Sequence, residues 1–261
     1  MRRAVVTRPA GEASGWAAAL GERGWAVAEL PLIEIAAPAE SESLQRARAC
    51  CRDYHALMFV SAAAVAHFFA GRHWGDFGSG ARCWAPGPAT ARALQAAGVP
   101  PERIDAPASD AENFDSESLW QQVGAQVGPG HRLLVVRGQT EGSGEGASMR
   151  GNGRDWLASQ CEQRGGQVDW CVAYRRRPPC WSAGQLELAR AAAADGSVWL
   201  LSSSEAVANL RTLLPEVDWT HARALVTHPR IAEAAGWLGF GATIISRASL
   251  TEVLRNLESM P

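Results

Sequence analysis

Short apolar runs alternate along the chain with longer segments rich in alanine and leucine. The first run covers residues 4–6 and is followed by a polar turn, Thr7-Arg8-Pro9. A helical pattern around residues 16–20 ends near Gly24, and a second apolar run covers residues 25–30. Short apolar runs between turn residues predict strands, and the segments between them predict helices. This alternation predicts parallel sheets with helices on their faces.

The same unit of strand, turn, helix and glycine recurs along the chain. Its further copies have strands at residues 82–85, 133–136 and 224–226, turns at residues 87–88, 137–138 and 227–229, and helices at residues 89–97, 155–164 and 231–238. Two more predicted strands, residues 57–60 and 198–201, lead into Ser61 and Ser203 before helices rich in alanine and valine. The chain therefore has more strand-helix units than one small sheet needs.

The predicted fold class is α/β, with two similar domains that each contain a parallel sheet flanked by helices. A chain of 261 residues is long enough for one core to become two. Two extended stretches, residues 30–35 and 168–174, are candidates for a two-stranded crossing between the domains. Residues 139–153 are rich in Gly, Ser and charge, and we expect a mobile loop that is either a tolerated insertion or a lid.

Composition and charge exclude several function classes. The 25 Lys and Arg nearly balance 27 Asp and Glu, so no basic field exists for nucleic acid or a membrane surface. No apolar run is long enough to span a membrane, and the one after Arg3 stops at Thr7, so we expect no signal peptide and a cytoplasmic protein. The six cysteines lack metal-ligand spacing, which predicts free thiols; of Cys50 and Cys51 we expect one in the core.

Polar residues and glycines follow the predicted strands or begin the predicted helices. In open parallel sheets, ligands bind at the carboxyl ends of the strands, where helix N-termini favour anions. The candidate binding residues are Arg8, Ser61, Gly87, Thr90, Ser116, Arg137, Gly138, Ser203 and Thr227. The alternatives are N-capping for the hydroxyl residues, an ion pair with a protein acid for the arginines, and turn formation for the glycines.

The chain resembles the uroporphyrinogen-III synthase family. It begins VVTRPAGEASGWAAALGERGWAVAELPLIEI, which is similar to that family's strand, Thr-Arg-Pro turn, helix and Pro-Leu-Ile-Glu-Ile crossing. Further similar motifs follow in family order: MFVSAAAV at 58–65, WAPGPATARALQAAGV at 84–99, FDSESL at 114–119, LLVVRG at 133–138, VAYRR at 172–176, LLSSSEAV at 200–207 and VTHPRIAEAA at 226–235. Their order covers nearly the whole chain apart from residues 139–153.

The resemblance implies a lyase that needs no cofactor and no metal. Its substrate would be hydroxymethylbilane, a linear tetrapyrrole with eight carboxylates, received in a handover from hydroxymethylbilane synthase. Loss of the terminal hydroxyl as water gives an azafulvene, which closes through a spiro intermediate with inversion of the last ring. The resemblance also implies a discontinuous domain one, residues 1–35 and 175–261, and a domain two, residues 36–174, with an open cleft between them.

Tyr174 is the candidate catalytic residue, because a phenol can donate a proton to the departing hydroxyl. A packed aromatic at the crossing is the alternative reading of the same residue. Departures from the family pattern occur at Val60, Ala63, Pro86, His228 and Ile231. Since side chains common in the family are missing at these turns, backbone amides are expected to be the main binding groups.

Two other functions fit the alternation of strands and helices. A two-domain module could bind a small anion or act as a regulator without chemistry, and the departures at the turns favour that interpretation. A nucleotide-binding enzyme is disfavoured, because no glycine-rich fingerprint follows a strand. We expect a monomer, since no element has a second apolar face, and expect Trp16, Trp156 and Trp237 to pack into the core.

Overall fold

A computed structural model describes residues 2–37, 42–78, 80–108, 115–141, 153–247 and 249–259. The chain divides into two compact units, one formed by Met1–Glu34 with Arg177–Pro261 and the other by Ile35–Arg176. Each unit has its own sheet and core. None of the helices within the described ranges is long and apolar enough to cross a membrane.

Strands and helices alternate through both units. In chain order the elements are β1 (Arg3–Val6), α1 (Ala10–Glu22), β2 (Ala26–Glu29), β3 (Glu34–Ala36), α2 (Glu42–Ala49), β4 (Ala56–Phe59), α3 (Ala62–Phe68), α4 (Trp74–Phe77), β5 (Arg82–Trp84), α5 (Pro88–Ala96), β6 (Ile104–Asp105), α6 (Ser116–Val123), β7 (Arg132–Thr140), α7 (Gly153–Gln163), β8 (Gln167–Arg177), α8 (Ala183–Ala194), β9 (Val198–Leu201), α9 (Ser204–Leu213), β10 (Arg223–Val226), α10 (Pro229–Leu238), β11 (Ala242–Ile245) and α11 (Leu250–Glu258). Short 3₁₀ turns lie at Cys51–Asp53, Pro101–Arg103 and Gly124–Gln126.

The first unit contains a five-stranded parallel sheet in the order β11-β10-β9-β1-β2. All buried residues of β9 and β10 are apolar, as expected for strands that are covered on both faces. Trp199, Trp219 and Phe240 form one aromatic cluster in this unit, with Trp219 and Phe240 stacked at a ring separation of 5.0 Å. Because the strands are parallel, the ends of β1, β9 and β10 share one edge of the sheet.

The second unit contains a six-stranded sheet in the order β3-β8-β7-β4-β5-β6. The pairs β8–β7, β7–β4, β4–β5 and β5–β6 are parallel. The sheet as a whole is mixed, so the expectation of a purely parallel sheet is corrected for this unit. The chain passes between the units in β3 and at the end of β8, which are neighbours in this sheet. The α/β fold with helix-flanked sheets and a two-stranded crossing is confirmed.

Strand β7 is longer than the sequence pattern predicts. We expected a turn at Arg137-Gly138, but both residues lie within β7, which continues to Thr140 beside β8. The ladder shifts register between Arg137 and Gly138, because β8 has one additional residue, Ala173, between their partners Val172 and Tyr174, and β7 continues past the glycine instead of turning. Most of the expected loop at residues 139–153 lies outside the described residues.

A buried histidine stacks on two rings at the amino-terminal end of the second sheet. The His131 ring stacks on His55 at 5.1 Å and on Trp84 at 5.8 Å, and His131 is only 8% exposed. Burial, with a smaller contribution from His55, lowers the pKa of His131 below its usual 6.5. The neutral imidazole is therefore the form that this packing accommodates.

An ion pair joins two neighbouring strands at the edge of the same sheet. The guanidinium of Arg82 in β5 donates two hydrogen bonds of 2.5 Å to the two carboxylate oxygens of Asp105 in β6. Asp105 is mostly buried and Arg82 is about one third exposed, so solvent screens the pair only in part. The bidentate geometry fixes the short edge strand β6 to the sheet.

The cysteine expectation is confirmed and part of the tryptophan expectation is wrong. Cys51 is buried and Cys50 is exposed, and all six cysteines are free. Trp16 packs partly buried against the core of the first unit. Trp237 is 89% exposed and Trp156 37% exposed, because their helices turn these positions outward.

Candidate functional site

Three predicted binding residues lie at the carboxyl edge of the first unit's sheet. Arg8 follows β1, Ser203 follows β9 and Thr227 follows β10, and these three strands are neighbours. Just before Arg8, the buried Thr7 donates from Oγ1 to the carbonyl oxygen of Leu200 at 2.6 Å, which joins the ends of β1 and β9. The edge therefore gathers the N-termini of three helices, α1, α9 and α10, and one arginine.

Local partners already engage part of this edge. Arg8 donates to Glu12 at 3.0 Å and lies over the ring of Trp16 at 4.2 Å. The Oγ of Ser203 accepts from the backbone N–H of Glu205 at 3.2 Å and so caps α9. These contacts are the alternatives expected for both residues, and both side chains stay partly exposed at the edge.

The second unit brings Tyr174 of β8 beside Ser61 and Gly138. Tyr174 is 4% exposed, and its hydroxyl lies 3.2 Å from the Oγ of Ser61, where either atom can donate. A β-carbon added at Gly138 would lie 2.3 Å from two ring carbons of Tyr174. Glycine is therefore the residue that leaves room for this ring.

His67 of α3 completes the surroundings of Tyr174. Its imidazole stacks on the phenol ring with 5.7 Å between the centroids and 25° between the planes. Burial lowers the pKa of His67 from 6.5, which favours the neutral ring at this position.

Arg137 provides positive charge in the strand next to β8. It is 9% exposed and lies over the Trp170 ring at 4.8 Å. Burial is the main cause that lowers its pKa, the nearby Asp155 opposes that shift, and Arg176 adds to it. Even a lowered pKa leaves a guanidinium charged near neutrality, so this end of β7 retains a cation.

The remaining predicted residues lie at the starts of two helices in the second unit. Gly87 precedes α5 as its N-cap without a side-chain hydrogen bond, and the buried Thr90 lies in the first turn. Ser116 is the buried first residue of α6, whose cap is Asp115. The expected capping by Thr90 and Ser116 is therefore wrong, since Gly87 and Asp115 occupy the cap positions.

Comparison with known families identifies the chain's family. The family model described as Uroporphyrinogen-III synthase HemD matches residues 14–252. The chain belongs to the uroporphyrinogen-III synthase family. Its function is therefore that of a uroporphyrinogen-III synthase in tetrapyrrole biosynthesis, and the alternative of a non-catalytic binding module is not favoured.

Solved uroporphyrinogen III synthases share the fold over the whole length. A mutant of the enzyme from Thermus thermophilus is 17% identical, with 99% of this chain and 98% of that chain covered and a TM-score of 0.52. The enzyme from Helicobacter pylori is 14% identical, with both chains fully covered and a TM-score of 0.57. At these identities the similarity is one of fold, and it covers both units.

Sequence reasoning about this synthase missed His67 and Asp115. His67 stands in an alanine-rich helix, and its spacing from Ser61 does not indicate that it contacts a tyrosine over one hundred positions away. Asp115 could have been found, because an aspartate before Ser-Glu-Ser is a common helix start. Within the described ranges, no group of three His, Cys, Asp or Glu side chains is placed to hold a metal ion.

Proposed function

We propose that this synthase acts as a hydro-lyase on hydroxymethylbilane, with Tyr174 as the acid for the departing hydroxyl. The observation that carries this proposal is the phenol of Tyr174, buried and hydrogen-bonded to Ser61 beside the end of β4. Of the two tyrosines in the chain, Tyr54 donates to Asp169 near the start of β4. Tyr174 is therefore the phenol at the carboxyl edge, where ligands of such sheets bind.

The proposed step balances without a cofactor. The C–O bond of the terminal hydroxymethyl group breaks with its electron pair on oxygen, and the phenol proton of Tyr174 completes the departing water. The pyrrole N–H then gives its proton to the phenolate of Tyr174, which restores the phenol and makes the substrate a neutral azafulvene. The azafulvene carbon then bonds to the last ring at the carbon that already carries the bridging methylene, which gives the spiro intermediate. The older bond, from that ring carbon to the methylene, breaks and leaves the methylene as a second azafulvene. The methylene bonds to the free α-carbon of the last ring, and the proton lost from that carbon replaces the one missing from the pyrrole nitrogen, so the ring closes inverted.

The substrate carboxylates need hydrogen-bond donors, and each unit has its own group of them. In the first unit these are the start of α9 with Ser203, the start of α10 with Thr227, and Arg8; a helix N-terminus contributes about 0.3–1 kcal/mol per anion. In the second unit the proposed donors are Ser61, Gly87, Thr90, Ser116, Arg137 and Gly138. Gly87 supports the expectation of backbone binding, because its helix start has no side-chain cap.

The organisation and location of the enzyme are also proposals. We infer that the two units are domains with boundaries near residues 35 and 175, as the positions of the crossing strands support. Free cysteines support a reducing cytoplasm. A monomer that receives its substrate from hydroxymethylbilane synthase is proposed, and sedimentation velocity with and without that enzyme would detect a dimer or a complex.

Tyr174→Phe tests the proposed acid directly. We expect kcat to fall about 100-fold, at the low end for general acid catalysis, because the substrate ionises readily by itself. Hydroxymethylbilane is generated enzymatically, the products are oxidised, and the type I and type III isomers are separated by chromatography. Tyr54→Phe is the matched control and keeps the wild-type rate of type III formation. Equal rates for the two variants would remove Tyr174 from the mechanism.

A further inference from the structure

Three neighbours surround the buried phenol of Tyr174. Gly138 lies so close that no side chain fits between the two residues. His67 stacks on the ring, and Ser61 contacts the hydroxyl. Both His67 and Ser61 belong to the same short segment of chain, since Ser61 is the N-cap of α3 and His67 lies near its end. One helix therefore contacts both the ring and the oxygen.

The hydrogen bonds of Ser61 allow it to be the donor in this contact. Its Oγ already accepts from the backbone N–H of Ala64 at 3.2 Å. A hydroxyl has one proton to donate, and the Ala64 N–H cannot accept it. The Ser61 proton is therefore available to the phenol oxygen of Tyr174. When it is donated there, the proton of Tyr174 is directed away from Ser61.

We propose that His67 and Ser61 are positioning residues that hold the phenol of Tyr174 in one orientation against Gly138, with its proton directed to the substrate. This inference rests on the proposed catalytic role of Tyr174. It gives His67 a role in the reaction, and it changes that of Ser61 from a carboxylate ligand to a donor for the phenol oxygen. Neither side chain needs to touch the substrate for this role.

Paired variants separate positioning from simple stability. Ser61→Gly keeps a residue that is acceptable as an N-cap but removes the hydroxyl, whereas Ser61→Thr keeps both functions. His67→Leu removes the flat ring, whereas His67→Phe keeps it. Ser249→Gly, at the cap of α11, is the control for the loss of a cap far from Tyr174.

The kinetic readout is kcat against KM for type III formation. We expect Ser61→Gly and His67→Leu to lower kcat about tenfold with little change in KM, since a misplaced catalytic group slows the chemical step. The Thr and Phe variants should keep most of the rate, and Ser249→Gly should keep all of it. In a Tyr174→Phe background, Ser61→Gly should cause no further loss.

A spectroscopic readout reports on Tyr174 itself. With ¹³Cζ-labelled tyrosine the protein gives two phenol signals, and Tyr54→Phe assigns them. We expect Ser61→Gly and His67→Leu to shift or broaden the Tyr174 signal, and Ser249→Gly to leave it unchanged. An unmoved signal would overturn the positioning role, and so would a rise in KM at constant kcat. If Tyr174→Phe keeps full activity but the signal moves, the catalytic proposal fails while the contacts stand.

Discussion

Gly138→Ala places a methyl group where the ring of Tyr174 lies. The added carbon would be 2.3 Å from two ring carbons, whereas ordinary van der Waals contact begins at 3.4 Å. The ring or the strand must therefore move by about 1.1 Å, and such overpacking typically costs about 1–3 kcal/mol. A displacement of this size at a catalytic group lowers the rate by about 100-fold. We expect both effects in this variant.

Urea unfolding and the isomer assay measure the two effects separately. Gly15→Ala is the matched control, because Gly15 is exposed within α1 and an added β-carbon meets nothing within 4 Å. That control should gain about 0.5–1 kcal/mol from the helical preference of alanine and keep its activity. The double variant Gly138→Ala/Tyr174→Ala should lose less stability than the two single variants lose together, because the added methyl group no longer meets the tyrosine ring.

Wild-type stability together with wild-type kcat in Gly138→Ala would refute the reasoning about this close contact. Reduced stability with unchanged kcat would show that the ring is packed there but that its position does not matter to catalysis. The expected result is a loss in both, with KM changed less than kcat.

Three further predictions concern stability. His131→Phe should reduce the loss of unfolding free energy that urea titrations measure between pH 7 and 5. Because the pKa of His131 is lowered in the folded protein, the unfolded chain binds the proton more readily. The contribution of His131 to stability is therefore complete above about pH 6.5 and decreases as the pH falls towards the folded pKa. Asp105→Asn should lose about 1–2 kcal/mol in urea unfolding, since it weakens a partly screened bidentate pair with Arg82. Ser203→Ala and Ser249→Ala should each lose about 1 kcal/mol as caps, and only Ser203→Ala should raise KM if its hydroxyl binds a carboxylate.

Each of these has an outcome that contradicts it. A pH profile of His131→Phe identical to that of the wild type would assign the acid sensitivity to other groups. No loss in Asp105→Asn would mean that solvent screens the pair fully. Equal KM values for the two serine variants would leave Ser203 as a cap alone.

The sequence by itself determined the class of fold and the family. Because strands and helices have different periods, the alternation of short apolar runs with alanine-rich segments was enough to identify the individual strands and helices. Gly98 and Gly239, both with positive φ, marked helix ends. The sequence also indicated that one of the adjacent Cys50 and Cys51 is buried and the other exposed, but only the structure showed which is which. The order of the motifs along the chain was sufficient to indicate the uroporphyrinogen-III synthase family.

Only the tertiary structure decided which residues meet. The length of β7 depends on hydrogen bonds to β8, the exposure of Trp237 depends on which face of α10 packs, and neither is encoded within a short window. The contact of Tyr174 with Ser61, His67 and Gly138 joins three segments that are distant in sequence. Such contacts depend on which strands are neighbours in the sheet, and strand order is a property of the folded chain and not of any local pattern.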